Sequence, residues 1–434
     1  MDLFNKLPAE LRAKIMVSTC CLHTILQLIQ ASPVMLKQYG ASKGYIARKL
    51  LASEFDDNMV QDAMAIILFP PQSTTQFKTL ARAHCHSWAT QNFANPLRQP
   101  LQSQNRDLIQ QIIKLRKGLI FFIEDYLTKA TAAFPPREYL CLHSRTQLIF
   151  KCQRVSHKFN AANLTVSEKK RLLRAFMRYQ LYSLVSQVKD KKAKKIMQKA
   201  LCSQELHPWD KEAILCVHTY LVSLYGAMAA QCSSDTWLPE HVSKSTVPRP
   251  PGLLYPDSLY FDADIYASSL TCSCKTSGLA SLGFDLATVF LRSATAGQPS
   301  WDHLGKWFKE AYRNTRRSAV LSIWGNHQPL YLESLDQNHS DFGAKEEYFQ
   351  RGPGMYQILH PRLTSKVDIQ RKIYRQRAWV FFDDARFYPV PSPDAKPHFP
   401  TEDDMTFLTN TLTIQYRTRI GLHIHARSKP GIGH

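Results

Sequence analysis

Residues 7–16 read Leu-Pro-Ala-Glu-Leu-Arg-Ala-Lys-Ile-Met, and this short stretch is the most informative in the chain. Proline is tolerated in the first turn of a helix because its missing N–H would have no intrahelical partner there. Glu10 follows, where a carboxylate suits the positive end of the helix dipole. Leu11 and Ile15 recur at a four-residue interval and indicate one narrow apolar face. The pattern therefore predicts a helix that begins at Leu7-Pro8.

A second apolar segment follows at once. Leu22, Ile25, Leu26 and Ile29 precede an Ala31-Ser32-Pro33 step. Two helices this short bury little apolar surface against each other. We therefore expect either the rest of the chain or a partner protein to cover them.

The first segment resembles the opening of the F-box, whose usual form is Leu-Pro, one residue, Glu-Leu, three residues and Ile-Leu. Those places are filled by Leu7, Pro8, Glu10, Leu11, Ile15 and, instead of leucine, Met16. Residues 25–39 are similar to the second F-box helix of a group of uncharacterised filamentous-fungal proteins, and residues 374–386 resemble a recurrent segment of the same group. The chain departs from the pattern in lacking an Asp-Leu-Leu step between the helices and a closing Leu-Trp.

The resemblance implies that the N-terminal helices dock into the groove of a Skp-type adaptor in a cullin–RING ubiquitin ligase, while the body presents an unknown protein target. The expected adaptor-binding residues are Leu7, Pro8, Glu10, Leu11, Ile15, Met16, Leu22, Leu26 and Ile29. Ubiquitin chemistry would belong to partner enzymes, so the chain is expected to be a non-catalytic receptor or scaffold without a cofactor. Two alternatives stay open. The F-box-like segment has lost adaptor binding and packs onto the body, or it is a plain amphipathic helix.

Length and composition predict a folded, mainly α protein. The chain has 434 residues, is 44% hydrophobic and contains 16 glycines, too few for the many tight turns of a sandwich or barrel. We predict an F-box-like helical unit at 1–50, an irregular all-helical body at 51–246, a Pro-rich linker at 247–257 and a mainly helical C-terminal region at 258–434. Apolar periodicity predicts helices over 51–69, 76–91, 106–129 and 209–232. The sequence Thr165-Val166-Ser167-Glu168 predicts a capping box at the start of a further helix.

No signal peptide is evident at the N-terminus, and the most apolar window, 213–230, is interrupted by polar side chains. That window therefore predicts a buried core helix. We expect a soluble protein of the cytoplasm, the nucleus or both, with no membrane partner.

The net charge of +20 implies attraction to polyanions. Its densest cluster is the basic patch formed by Lys189, Lys191, Lys192, Lys194, Lys195 and Lys199. Three interpretations apply: a solvated helix end whose lysines suit the negative dipole terminus, a nuclear-import signal, or a phosphate contact. A basic nuclear or nucleic-acid-associated protein is thus the alternative function, although a nucleic-acid partner is not favoured.

Sequence motifs that would indicate a catalytic or metal-binding site are weak throughout the chain. The sequence contains no nucleophile elbow, Walker A loop or His-Glu-x-x-His pattern. The ten cysteines form no Cys-x-x-Cys pair, and the nearest approaches to metal-ligand spacing are His84-Cys85-His86, Cys272-Ser273-Cys274 and His423-Ile424-His425. Asp383-Asp384 lies beside Trp379, Phe381 and Phe382, which we expect to pack while the carboxylates cap a turn or pair with Arg386. We predict neither a catalytic residue nor a metal site.

Overall fold

The computed structural model describes residues 2–19, 22–98, 103–131, 137–141, 147–150, 153–157, 159–203, 208–232, 253–257, 278–295, 306, 310 and 375–383. Within these residues the fold is mainly helical, as the sequence predicts. The α-helices are α1 (Ala9–Ser18), α2 (Leu22–Ala31), α3 (Pro33–Glu54), α4 (Asp57–Ile67), α5 (Phe77–Ala89), α6 (Ser103–Ala130), α7 (Val166–Ser186), α8 (Lys191–Ser203), α9 (Pro208–Cys232) and α10 (Gly283–Thr295). Short 3-10 helices span Leu3–Lys6 and Ala161–Asn163.

Four short strands, which the sequence analysis did not predict, interrupt the body. They are β1 (Arg137–Cys141), β2 (Gln147–Phe150), β3 (Gln153–His157) and β4 (Leu253–Asp257). β1 pairs antiparallel with β4, and β2 pairs antiparallel with β3. β4 lies in the segment predicted as a linker, and its Pro256 is compatible with a strand because each strand of a two-stranded sheet has a free edge.

The described residues divide between two compact units. Unit 1 lies within Met1–Ile123 and Asn160–Glu205, and unit 2 lies within Glu124–Phe159 and Leu206–His434. The long helix α6 contributes its residues up to Ile123 to unit 1 and the remainder to unit 2. These divisions differ from the predicted boundaries at 50, 246 and 257.

Residues 2–54, which we call the N-terminal three-helix segment, build a small core of their own. α1 and α2 each pack on α3. The side chains between them are almost fully buried: Met16, Ile25, Met35 and Ile46. α2 ends at Ala31 and α3 begins at Pro33, because the residue before proline is pushed out of the α region. Ser32 caps α3 by accepting a 3.0 Å hydrogen bond from the Met35 amide.

The rest of unit 1 confirms the helices predicted over 51–69, 76–91 and 106–129, with a break at Phe55-Asp56. Asp56 causes that break by capping α4, with its Oδ1 2.9 Å from the Met59 amide. The capping box at the start of α7 is also confirmed, since Thr165 Oγ1 lies 3.2 Å from the Glu168 amide and Glu168 Oε2 lies 2.9 Å from the Thr165 amide. α4 packs on α7, and α5 packs on α8.

Unit 2 contains the predicted buried helix, which spans Pro208–Cys232. Residues 375–383 are fastened to it by hydrogen bonds. Glu212 accepts two bonds from the Arg375 guanidinium at 2.7 and 2.8 Å, and Gln376 Nε2 donates to Ser223 Oγ at 3.0 Å. Of the predicted C-terminal region, the structure describes mainly these residues and residues 278–295. Among the described helices, none combines the length and the apolar character needed to cross a membrane.

Candidate functional site

Asp2 fastens the beginning of the chain to the start of α3. Its Oδ1 accepts a 3.0 Å hydrogen bond from the Phe4 amide, and its Oδ2 accepts from the Ser32 hydroxyl at 2.5 Å and from the Val34 amide at 3.3 Å. The hydrogen bond from Ser32 is the main reason why the pKa of Asp2 lies below its ordinary value. One carboxylate therefore caps both the first 3-10 turn and α3.

Three of the predicted adaptor-binding residues lie toward the core of this segment. Met16 is fully buried. Ile15 and Ile29 are half-buried and pack against the cluster that Met16 belongs to. In this arrangement all three stabilise the three-helix segment, so truncating them would test folding as much as binding.

Other predicted adaptor-binding residues lie nearer the surface. Leu7 is half-buried, while Pro8 and Glu10 are exposed. Pro8 occupies the N-cap position of α1, one residue before the helix begins. Leu22 belongs to α2, but its side chain lies outside the part of the chain that the structure describes.

Four leucines of the segment are exposed, and we call them the exposed leucine set. Their exposed fractions are 80% for Leu3, 44% for Leu11, 42% for Leu26 and 53% for Leu36. Leu11 and Leu26 are among the predicted adaptor-binding residues, whereas Leu3 and Leu36 are not.

The basic patch is largely the surface of one helix. Lys191, Lys192, Lys195 and Lys199 are exposed on α8, and Lys189 is exposed just before it. For Lys191 and Lys192, the interpretation that the lysines suit a negative dipole terminus is wrong. α8 begins at Lys191, and the N-terminus of a helix is the positive end of its dipole. Asp190 caps that end, with its Oδ1 2.6 Å from the Ala193 amide.

Lys194 differs from the rest of the patch. It is half-buried, and its ammonium group donates a hydrogen bond to the carbonyl of Ser186, the last residue of α7. Burial lowers its pKa below the ordinary value. Lys194 therefore caps the C-terminal end of a neighbouring helix and contributes little to an exposed cationic surface.

The three side chains of His84-Cys85-His86 have different surroundings. The ring of His84 lies 5.6 Å from that of Phe69 and 5.3 Å from that of Phe93, and burial lowers the pKa of this imidazole. Burial raises the pKa of the Cys85 thiol to about 11, while His86 is exposed. Throughout the described residues no three potential ligands come together. Cys272, Cys274, His423 and His425 lie outside those residues.

The aromatic cluster beside Asp383-Asp384 packs as expected. Trp379, Phe381 and Phe382 are buried, and Asp383 is half-buried. Asp384 and Arg386 lie outside the described residues. The neighbouring Ala378 is buried and has a left-handed backbone conformation with φ 58°. This conformation is strained for a residue with a Cβ atom.

Several polar groups inside unit 2 are paired with one another. Asp125 on α6 pairs with Lys129 and accepts a 2.7 Å hydrogen bond from the Tyr220 hydroxyl. Burial, assisted by the charge of Arg375, lowers the pKa of His218 to about 4, and burial raises the pKa of Cys216. Both groups are therefore uncharged at neutral pH, which suits their packed surroundings.

Comparison of the chain with protein-family models, with curated proteins and with solved structures finds no match.

Proposed function

We propose that the N-terminal three-helix segment is an F-box-type binding module. In this proposal it docks into the groove of a Skp-type adaptor, and the chain acts as a substrate receptor or scaffold of a cullin–RING ubiquitin ligase in the cytoplasm, the nucleus or both. The chain itself would be non-catalytic, with ubiquitin transfer carried out by partner enzymes. The remainder of the chain would present a protein target.

The observation that carries the proposal is the exposed leucine set. The core of the segment is formed by Met16, Ile25, Met35 and Ile46, and the exposed leucines do not belong to it. They are distributed over the first 3-10 turn and all three helices that follow. We take the four leucines to form one apolar patch, of the kind that another protein covers.

The proposed contact is helix-in-groove recognition, in which a few apolar anchors carry most of the binding energy. Leu11 on α1 and Leu26 on α2 are the anchors that both the sequence resemblance and the exposure favour. Leu3 and Leu36 extend the contact. The exposed Pro8 and Glu10 would lie at its edge, where Pro8 fixes the direction in which the chain enters α1.

The test is the affinity of the full chain for a fungal Skp-type adaptor, measured by calorimetry. Truncation of a central anchor costs about 2 kcal/mol or more, so Leu11→Ala and Leu26→Ala are each expected to weaken binding by roughly thirtyfold. Ile15→Ala and Met16→Ala are unsuitable because both side chains pack in the core of the segment.

Two exposed leucines elsewhere in unit 1 provide matched controls. Leu68 has the same exposed fraction as Leu11, 44%, and Leu80 at 41% matches Leu26 at 42%. Leu68→Ala and Leu80→Ala are expected to leave the affinity unchanged. The proposal fails if the wild-type chain does not bind the adaptor, or if the control variants lose as much affinity as the anchor variants.

A further inference from the structure

Helix α8 carries a regular line of positive charge. Lys191, Lys195 and Lys199 are exposed at four-residue intervals, each step advancing about 6 Å along the helix axis. Ala193, Met197 and Leu201 are buried and occupy the opposite side of the helix. The line therefore faces away from the contacts that hold α8 in unit 1.

Helix α5, which packs on α8, carries a second line that sequence reasoning missed. The cations Lys78 and Arg82 are exposed, again at a four-residue interval, and the exposed His86 follows one interval later. Its two aromatic residues, Phe77 and Trp88, are buried. Two neighbouring helices thus display cations without an exposed aromatic side chain.

Acidic residues are few in the parts of the sequence that contain these two helices, and Asp62 and Asp190 are already engaged. The sequence between Asp62 and Asp107 contains no Asp or Glu. Asp62 is buried and accepts hydrogen bonds from Trp88 Nε1 at 2.9 Å and from Arg178 Nε at 3.1 Å. Asp190 is the only acid between Glu168 and Glu205, and it is used to cap α8.

This arrangement works against the stability of α8. Lys191 and Lys192 lie in the first turn, at the positive end of the helix dipole. Like charges at four-residue spacing also repel each other. Since packing requires neither feature, a surface with this charge pattern indicates binding to a polyanion rather than a contribution to folding.

We propose that the α5–α8 cationic surface, formed by Lys78, Arg82, Lys191, Lys192, Lys195 and Lys199, binds the phosphate backbone of a nucleic-acid duplex without sequence preference. The proposal is independent of adaptor binding by the exposed leucine set. Lysine contacts phosphate as a compact point charge and reads no base edge in doing so. Single strands are recognised by stacking bases on aromatic side chains, and the aromatic residues of α5 are buried.

The test is fluorescence anisotropy of the full chain with a labelled duplex of about 20 base pairs, titrated over a range of salt concentrations. Each phosphate contact contributes close to 0.9 to the slope of log affinity against log salt, so Lys191→Gln/Lys195→Gln/Lys199→Gln is expected to reduce the slope by about 2 to 3. At about 100 mM salt the same triple variant is expected to bind at least roughly tenfold more weakly.

The matched control removes three exposed lysines from elsewhere in unit 1, namely Lys43→Gln/Lys114→Gln/Lys117→Gln. Its net charge equals that of the α8 triple variant, and its affinity is expected to stay within about twofold of the wild-type value, since none of its lysines belongs to α5 or α8 and salt screens the attraction of exposed charges that do not contact the duplex. Circular dichroism verifies that both variants keep their helices.

Three results would overturn the proposal. The first is an equal loss of affinity in both triple variants, which would make the attraction a property of net charge alone. The second is tighter binding of a single strand of the same length than of the duplex. The third is α8-dependent binding of polyglutamate or of phosphatidylserine vesicles by a chain that does not bind the duplex.

Discussion

The carboxylate of Asp2 accepts a 2.5 Å hydrogen bond from the hydroxyl of Ser32, thirty residues further along the chain. α1 and α2 lie between these two residues, so the bond closes the N-terminal three-helix segment at its ends. The Val34 amide donates to the same carboxylate oxygen, which ties the first turn of α3 into the contact. The relative placement of Leu11 and Leu26 on the proposed binding surface therefore depends in part on Asp2.

This contact predicts a pH-dependent stability of the segment. The pKa of Asp2 is lower in the folded chain than its ordinary value of 3.8, chiefly through the Ser32 hydrogen bond. A depressed pKa contributes stability above the unfolded value, and that contribution is lost as the pH falls through the folded value. We expect Asp2→Asn to lower the urea midpoint at neutral pH, and the difference from the wild-type chain to disappear as the pH falls through the lowered pKa of Asp2 in the folded chain.

A double-mutant cycle with Ser32→Ala provides the control for Asp2. If the two residues act through their shared hydrogen bond, Asp2→Asn should have a smaller effect in the Ser32→Ala background than in the wild-type chain. Strictly additive effects, or a difference between Asp2→Asn and wild type that is constant with pH, would contradict the assignment.

Glu54 forms a largely buried ion-pair network in unit 1. Its Oε1 lies 2.7 Å from Arg116 Nη2 and 2.8 Å from Lys169 Nζ, which joins the end of α3 to α6 and α7. Burial acts to raise the pKa of Glu54, but the hydrogen bonds and charges of Arg116 and Lys169 outweigh it and hold the pKa below its ordinary value. Arg116→Met leaves a mostly buried carboxylate with one partner fewer, so we expect a loss of about 2–3 kcal/mol in the free energy of unfolding.

An exposed pair in the same unit is the natural comparison. Arg98 and Asp57 also form a salt bridge, but their side chains are 71% and 56% exposed. Arg98→Met should therefore cost less than about 1 kcal/mol by urea denaturation. Similar losses for Arg98→Met and Arg116→Met would show that burial does not govern the Glu54 pair.

Local sequence signals predicted the helix boundaries well where a side chain caps the helix. Thr165 and Glu168 form the predicted capping box because both partners lie within one turn. The Ala31-Ser32-Pro33 step likewise marks the boundary between α2 and α3, because Ser32 and Pro33 act within the turn that they adjoin. In contrast, the bond from Asp2 to Ser32 spans two helices, and no periodicity within one segment can indicate it.

Exposure could be predicted only in part. Leu11 and Met16 both fit the F-box pattern, yet one is 44% exposed and the other is fully buried. The difference is decided by α3, which covers one side of α1 and whose own start depends on Ser32. The cationic line on α5 was missed because its charges are spaced by four residues and form no run in the sequence, whereas the lysines of α8 are adjacent.

The end of α5 contains a residue that the fold holds in an unfavourable conformation. Gln91 has φ 54°, and the amides of Gln91 and Asn92 donate to the carbonyls of Trp88 and Ser87 at 3.0 and 2.8 Å. This is a Schellman motif, in which glycine is the favoured residue at the left-handed position. Gln91→Gly is expected to stabilise unit 1 by about 0.5–1 kcal/mol, and Gln91→Val to destabilise it, as measured by urea denaturation. A less stable Gln91→Gly variant would mean that the exposed bond from Gln91 to Asn58 matters more than the backbone strain.

Stability and nucleic-acid binding should respond in opposite directions to charge reversal at the start of α8. Lys191→Glu/Lys192→Glu places carboxylates at the positive end of the helix dipole, where each contributes about 0.3–1 kcal/mol, so we expect a higher urea midpoint. The same variant should lose most of its affinity for duplex nucleic acid, because two lysines of the α5–α8 cationic surface become anions. Lys114→Glu/Lys117→Glu, in the interior of α6, has the same charge change and should alter stability by less than about 0.5 kcal/mol and binding only slightly.

A loss of both stability and binding in the α8 variant would instead mean that Lys191 and Lys192 support the fold. A gain of stability with a loss of binding is expected only if the two lysines destabilise α8 and contribute to binding.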